Sequence, residues 1–144
     1  METRMNLQQV QPQAWKAMYG LETAVAATNL ATKHKELIKI RASQINGCGF
    51  CLDMHTKEAL KSGETAQRIF LLNAWRESEL FTEEEKAILE LTESVTLISH
   101  QGVPDSIYQK AAAIFDTNYI ASIIMAIVAI NAWNRIAVST GMKS

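Results

Sequence analysis

The sequence lacks any cluster of basic residues, and its 144 residues carry a formal net charge of -1. Lys and Arg are scattered along the chain, so it does not have the electrostatic character of a nucleic-acid-binding protein. Residues 1–12 are polar and rich in Gln, and they lack the apolar core of a secretory signal. We therefore expect a cytoplasmic protein that binds no nucleic acid.

Proline and glycine are also scarce, with two and six residues respectively. No segment shows the sustained alternation of apolar and polar residues that is typical of a half-buried strand, and the apolar spacing is helical nearly throughout. A hydrophobic content of 48% suits a domain of this size that buries roughly 70% of its unfolded surface. The pattern predicts an all-α fold and one domain over residues 1–144.

Apolar spacing and local end signals together predict seven helices. Asn46-Gly47 is a turn-forming pair that can end a helix, Thr82 and Glu85 have the spacing of a capping box, and Asp116 or Thr117 can cap the last helix. The predicted ranges are about Pro12–Asn29, Lys33–Ile45, Gly49–Lys61, Glu64–Trp75, Thr82–Ile98, Pro104–Phe115 and Asn118–Val138. The stripe that should face the core on the first helix comprises Trp15, Met18, Leu21 and Val25.

The last predicted helix contains the most apolar segment, residues 119–130. A membrane span needs about 20 such residues, and this run is interrupted by Asn131, Asn134 and Arg135. The sequence therefore predicts a buried helix and no membrane segment. Because the run is apolar almost all round, we expect it to pack also against a second subunit of a homo-oligomer.

Only two cysteines are present, Cys48 and Cys51, too close together to close a long loop. In a reducing compartment such a pair indicates catalysis or metal binding. With His55 they have the spacing i, i+3 and i+7, which on a helix places all three on one face. The helix start favours thiolate, and His55, four residues after Cys51, can take its proton. Cys51 is therefore the candidate attacking sulfur and Cys48 the resolving one.

Three other uses of a cysteine pair fit less well. Structural zinc needs four ligands, and without further cysteines His34 and His100 would have to converge on the pair. Haem attachment requires a histidine directly after the second cysteine, where Leu52 stands. A thioredoxin-like motif belongs in a βαβ unit, whereas this pair lies between predicted helices. We therefore predict neither a metal nor an organic cofactor.

The residues around the pair resemble the core motif of the AhpD-like alkylhydroperoxidase group within the carboxymuconolactone decarboxylase family. Glu36 stands twelve residues before Cys48 and His55 four residues after Cys51, as in that family. The likeness covers most of the chain from Lys35 onward. The matching segments are Ser43-Gln44-Ile45-Asn46-Gly47-Cys48-Gly49-Phe50-Cys51-Leu52-Asp53-Met54-His55, Trp75-Arg76-Glu77 and Asn131-Ala132-Trp133-Asn134-Arg135.

This resemblance implies an AhpD-like helical fold, assembly into trimers or hexamers, and reduction of a peroxide substrate through a cysteine sulfenic acid. By analogy Cys51 attacks the peroxide, Cys48 resolves it as a disulfide, and His55 with Glu36 relays protons. The implied reductant is a thiol or dithiol, such as a small redox protein or a dihydrolipoyl-type compound.

One departure from the family pattern leaves alternatives open. The best-known peroxidase of the family has a second histidine just before its second cysteine, where this sequence has Phe50. Either the relay is shorter and ends at Glu36 and His55, or the pair serves mainly in thiol–disulfide exchange. A redox sensor without turnover is a further alternative. The decarboxylase branch is less suitable because its reaction needs no cysteine pair.

Overall fold

A computed structural model describes residues 2–144, and in this range the chain is all-α, as predicted. Nine α-helices and one 3₁₀ helix follow one another without a strand among these residues. They are α1 Leu7–Val10, α2 Pro12–Ala26, α3 Thr32–Asn46, α4 Gly49–Lys61, α5 Ala66–Phe70, the 3₁₀ helix Leu72–Glu77, α6 Glu83–Thr96, α7 Ile98–Gln101, α8 Asp105–Ile114 and α9 Thr117–Thr140.

The local end signals position several helices as expected. α4 has the predicted bounds, and Gly47 ends α3 in the left-handed conformation with φ of 64°. Thr82 and Glu85 form the expected capping box at the start of α6. The Asp116 side chain accepts a hydrogen bond from the Tyr119 backbone N–H and thereby caps α9. Pro104 lies at the N-cap of α8, one residue before the helix begins.

The predicted fourth helix, Glu64–Trp75, is wrong. The chain forms the short α5, which is capped by Thr65, and then a 3₁₀ helix in which Ala74 departs from helical geometry with φ of -117°. Leu72 and Trp75 are both buried. Side chains three residues apart eclipse one another in a 3₁₀ helix, so this winding directs both into the same core cluster.

Helix α3 is the centre of the fold and packs against α4, α6 and α9. Its Ile38 and Ala42 join the larger core cluster with residues of α6, α8 and α9. Leu37 and Ile40 join a second cluster with Ala59 and residues from the 3₁₀ helix and α6. Because α3 is covered on several sides, its polar side chains are drawn into the interior with its apolar ones.

The predicted core stripe of the first helix is only half correct. Val25 is buried and Leu21 packs against the larger core cluster. Trp15 and Met18 are only partly buried, and the Trp15 ring packs edge-on against Trp133 of α9. The N-terminal half of this stripe therefore faces a neighbouring aromatic residue instead of the aliphatic core.

Helix α9 is long and apolar enough to cross a membrane by length and composition, yet half of its most apolar window is buried inside the protein. Ile123, Ile127 and Ile130 are fully buried, which is typical of a core helix. Its opposite face exposes Met125 and Val128, at 41% and 42%. Packing of this face against a second subunit stays a prediction.

A buried ion pair joins α5 to the start of α6. The guanidinium of Arg68 donates hydrogen bonds to the carboxylate of Glu85, whose side chain is 1% exposed. Burial alone would raise the pKa of Glu85, but the hydrogen bonds from Arg68 and from the Thr82 backbone, with the Arg68 charge, hold it at about 2. The carboxylate therefore stays charged at any moderate pH.

We expect Glu85→Gln to lower the free energy of unfolding at pH 7 by at most about 3 kcal/mol, because Gln can still cap α6 but no longer pairs with Arg68. The pKa of Glu85 is depressed in the folded state, so its contribution is present above the unfolded value near 4.5 and is lost as the pH falls toward 2. Urea unfolding of both proteins from pH 7 to pH 3 should show the difference shrinking. Glu84→Gln, an exposed change in the same turn, is the control and should cost little at any pH.

Candidate active site

The segment that carries the cysteines is fixed by a hydrogen-bond network between the end of α3 and α9. Asn46 Nδ2 donates to the side-chain oxygens of Asn131 and Asn134, at 2.9 Å each. Asn134, which is 1% exposed, donates in turn to Ser43 Oγ at 3.0 Å. Buried amides require such partners, so the network holds the end of α3 in one position directly before Gly47 and Cys48.

Cys48 and Cys51 form a disulfide across the first turn of α4. Cys48 is the N-cap, with extended backbone, and its sulfur accepts a hydrogen bond from the Cys51 N–H at 3.3 Å. The prediction that both cysteines share a helical face with His55 is therefore wrong for Cys48, which lies outside the helix. The sulfurs meet because a cap side chain folds back over the N3 position, where Cys51 stands.

The two cysteines differ in what they face. Both are buried, Cys48 at 1% and Cys51 at 3% exposure, and both pack against Ala137 with Phe50 and Met142 nearby. Only Cys51 lines the adjoining surface cleft. A small molecule in the cleft would therefore meet Cys51 and not Cys48.

His55 lies one turn after Cys51 and is bracketed by two carboxylates. Its Nδ1 is 2.9 Å from Glu58 Oε2 and 3.9 Å from Glu36 Oε2. The structure thus brings Glu36, on α3, to His55 on α4. Glu58 was missed by the sequence reasoning, although its i+3 spacing from His55 on a helix was a usable signal.

Burial favours the neutral forms of both His55 and Glu36 and so shifts the pKa of each. The pKa of Glu36 is raised by burial, which outweighs the opposing effect of the Lys39 charge. The pKa of His55 is lowered by burial and then by Lys39, and the hydrogen bond to Glu58 offsets this only in part. A neutral imidazole can accept a proton from a thiol and a protonated carboxyl group can supply one.

The cleft beside Cys51 has a volume of about 330 Å³. Its wall is aromatic where Trp15 and Tyr19 each pack edge-on against Trp133, and the centroids of the three rings lie 5.2–5.8 Å apart. The indole N–H of Trp133 donates to Glu22, which also pairs with Lys39. The cleft is lined by Trp15, Tyr19, Glu22, Lys39, Phe50, Cys51, Met54, His55, Glu58, Trp133, Ala137 and Met142.

The other two histidines do not join this site. His34 Nδ1 lies 2.7 Å from the Tyr119 hydroxyl, and His100 is exposed on α7. Within residues 2–144, a single group of three His, Cys, Asp or Glu side chains has ligand atoms close enough to share an ion, namely Glu36, His55 and Glu58. Neither His34 nor His100 therefore lies where it could share a zinc ion with both cysteines.

Comparisons with known proteins agree on one family. The sequence model of the carboxymuconolactone decarboxylase family matches residues 12–94. The chain is 41% identical over 144 residues to the uncharacterised protein YdfG of Bacillus subtilis strain 168, covering all of this chain and 98% of that one. The family match spans both cysteines, Glu36, His55 and Glu58.

Solved structures give the same result for the fold. The chain is similar, with a TM-score of 0.96 and 44% identity, to an Agrobacterium tumefaciens protein of unknown function whose assignment to antioxidant defence as AhpD is provisional; the match covers 99% of this chain and 97% of that one. An uncharacterised peroxidase-related protein from Silicibacter has a TM-score of 0.78 at 20% identity, covering 89% of this chain and 68% of that one. The second likeness shows the fold alone.

We expect Gly47→Ala to lower the free energy of unfolding by about 1 kcal/mol, because an L residue is strained at the positive φ of this position. Gly49→Ala is the matched control, since Gly49 begins α4 with ordinary helical geometry and open space around it. That change should be neutral or slightly stabilising. Denaturant unfolding of the two variants in the disulfide state compares them, and equal losses would contradict the backbone argument.

Proposed function

The chain belongs to the AhpD-like group of the carboxymuconolactone decarboxylase family, and on that basis we propose that it is a thiol-dependent peroxidase that reduces organic hydroperoxides. The observation that carries this proposal is the asymmetry of the disulfide. Cys51 lines the cleft together with His55, whereas Cys48 is buried behind it at the helix cap. This arrangement suits an attacking sulfur at Cys51 and a resolving sulfur at Cys48.

The proposed reaction has two steps. The Cys51 thiolate attacks the terminal oxygen of the hydroperoxide, the O–O bond breaks, and the products are a Cys51 sulfenic acid and an alcohol. The Cys48 thiol then attacks the sulfenic sulfur, water leaves, and the disulfide forms. Two electrons from a dithiol reductant, a small redox protein or a dihydrolipoyl-type compound, return the pair to the reduced state. Neither step requires a metal or an organic cofactor.

Proton transfer in this proposal belongs to His55 and Glu36. A neutral His55 takes the proton from the Cys51 thiol, and the alkoxide that leaves the peroxide needs a proton in return. Glu36 is within 3.9 Å of the His55 ring and its raised pKa favours the protonated acid that can supply one. Glu58 holds the ring through Nδ1 and so orients it.

A second function, thiol–disulfide exchange, is favoured by two observations. Phe50 lines the cleft where a relay histidine stands in the best-known peroxidase of the family. Cys48 accepts a hydrogen bond at the helix N-terminus, an environment that stabilises a thiolate and so makes a sulfur a better leaving group. In that case a protein or small-molecule disulfide, and not a peroxide, would be the oxidant.

Decarboxylation is a weaker candidate, because that reaction uses no cysteine pair, whereas this chain places a disulfide beside its cleft.

A redox sensor would require that the disulfide change the packing of an oligomer. We also propose that the chain self-associates into a trimer or hexamer. The exposed apolar side chains of Met125 and Val128 on α9 support this part of the proposal.

The cysteine roles are tested by trapping the sulfenic acid. When reduced protein meets a slight excess of cumene hydroperoxide, the wild type should lose two thiols per chain. Cys48→Ser should leave a Cys51 sulfenic acid that a dimedone-type reagent captures, because no resolving thiol remains. Cys51→Ser should give almost none. Equal yields from both variants would refute the assigned roles, and slow loss of wild-type thiols with fast oxidation by a disulfide would identify an exchange catalyst instead.

The role of His55 is tested by the rate of the first step. His55→Ala should slow the loss of the Cys51 thiol to hydroperoxide by about 100-fold or more, which is the usual contribution of a positioned base. His100→Ala, at an exposed position on α7, is the control and should react at the wild-type rate. Stopped-flow measurement at pH 7 compares the three proteins, and an unchanged rate in His55→Ala would remove His55 from the mechanism.

A further inference from the structure

One carboxylate oxygen in the site lacks the partner that its burial demands. Glu36 is 7% exposed, and its Oε2 is the one buried side-chain nitrogen or oxygen among the described residues without a hydrogen-bond partner. His55 Nδ1 is 3.9 Å from this oxygen, beyond hydrogen-bond distance, and is already bonded to Glu58 at 2.9 Å. An unpaired buried oxygen is unfavourable. A cation between the three side chains would satisfy it.

The spacing of the three groups is close to that of a zinc site. One ligand atom from each of Glu36, His55 and Glu58 lies within 4.8 Å of the others. Ligands held about 2.0–2.2 Å from a tetrahedral zinc ion lie about 3.3–3.6 Å apart, so the His55–Glu58 separation of 2.9 Å must widen and the His55–Glu36 separation of 3.9 Å must narrow, each by about 0.5 Å. Glu58 can supply the widening because its side chain is 47% exposed. Carboxylate oxygens and an imidazole nitrogen are ordinary zinc ligands.

A fourth ligand becomes available when the disulfide is reduced. Cys51 precedes His55 by four residues on α4, so the two side chains lie on the same helix face, and both line the cleft. In the oxidised protein the Cys51 sulfur is bonded to Cys48. Reduction frees a thiolate, which is a stronger zinc ligand than water.

We propose that Glu36, His55 and Glu58 form a Zn²⁺ site that the Cys51 thiolate completes in the reduced protein, so that zinc binds the dithiol form more tightly than the disulfide form. The charges support this assignment. Two carboxylates and one thiolate carry three negative charges, which attract a divalent cation. Lys39 lines the same cleft but pairs with Glu22, so the charges of those two side chains cancel. With Zn²⁺ bound, the site keeps one net negative charge.

Zinc in this position blocks the attacking sulfur and the ring that serves it. The Cys51 thiolate donates electron density to the bound zinc and is therefore a weaker nucleophile toward a peroxide, and bound His55 Nδ1 no longer contacts the Glu58 oxygen as a hydrogen-bond partner. Zinc therefore inhibits the reaction with peroxide, and oxidation of the cysteine pair weakens the binding of zinc. This regulatory consequence depends on the proposed peroxidase function, whereas the binding of zinc does not.

The site is tested by competition with a chromogenic zinc chelator under anaerobic conditions. Reduced wild type should bind one zinc per chain at least about tenfold more tightly than the disulfide form. Glu58→Gln should raise the Kd of the reduced protein by about tenfold or more, as loss of even an outer contact to a zinc ligand commonly does. Asp53→Asn is the matched control, because Asp53 lies on the same helix but pairs with Lys57. Its Kd should match that of wild type.

The cysteine variants separate the contribution of Cys51 from that of the disulfide. Cys48→Ser cannot form the disulfide and should bind zinc as the reduced wild type does, while Cys51→Ser should bind as weakly as the disulfide form. Equal affinity of Glu58→Gln and wild type, equal affinity of the two redox forms, or no binding would each overturn the proposal. Measuring thiol loss to cumene hydroperoxide with and without zinc keeps the two proposals apart. Zinc binding without peroxide reactivity refutes only the peroxidase function. Peroxide reactivity without zinc binding refutes only the zinc site.

Discussion

The packing of α3 between α4, α6 and α9 is the constraint on which the rest of the structure depends. It buries Leu37, Ile38 and Ile40 completely, and it places Ser43 and Asn46 where side-chain hydrogen bonds join them to α9. Those bonds hold the end of α3 in one position. The left-handed turn at Gly47 then directs the chain into α4, so the location of both sulfurs follows from how α3 is packed.

Two buried glutamates show how the same residue type serves different purposes. Glu85 lies against Arg68 and caps α6, so burial is more than offset and its pKa falls to about 2. Glu36 is buried without a paired cation, its pKa rises, and one of its oxygens has no partner. Hydrogen bonds and the ion pair favour the charged form of Glu85, whereas burial disfavours the charged form of Glu36. A carboxyl group of the second kind, beside a histidine, is typical of a site that moves protons or binds a cation.

The proton relay and the zinc site that we propose use the same three side chains for competing purposes. In the relay, Glu36 holds a proton near the His55 ring, and Glu58 orients that ring. In the zinc site, the ion takes the place of the protons. Phe50 contributes to neither, and together with the aromatic wall around Trp15 it makes this end of the cleft apolar. This apolar lining leaves less room for water near the Cys51 sulfur. Electrostatic interactions with that sulfur are therefore stronger.

Much of this could be predicted from the sequence because the signals are short-range. The all-α fold, the bounds of α4, the cap at Thr82 and the turn at Gly47 each depend on residues within one or two helical turns. So does the placement of Cys51 and His55 on one face of α4, and Glu58 could have been added because it stands three residues after His55. The family resemblance supplied Glu36. Without it, a Glu that lies between Lys35 and Lys39 on a helix would have been interpreted as a solvated charge.

Other features were decided only by the tertiary structure, because they depend on residues far apart in the chain. The burial of Leu72 and Trp75 in the 3₁₀ helix depends on packing against residues of α3 and α6. The cleft combines α2, α4 and α9, so no local pattern predicts its aromatic wall. The sequence by itself determined that Cys51 and His55 share one face of α4, since local spacing on a helix sets that arrangement. Packing determined which sulfur faces the cleft and which carboxylate lacks a partner, since burial and pairing are properties of the whole fold.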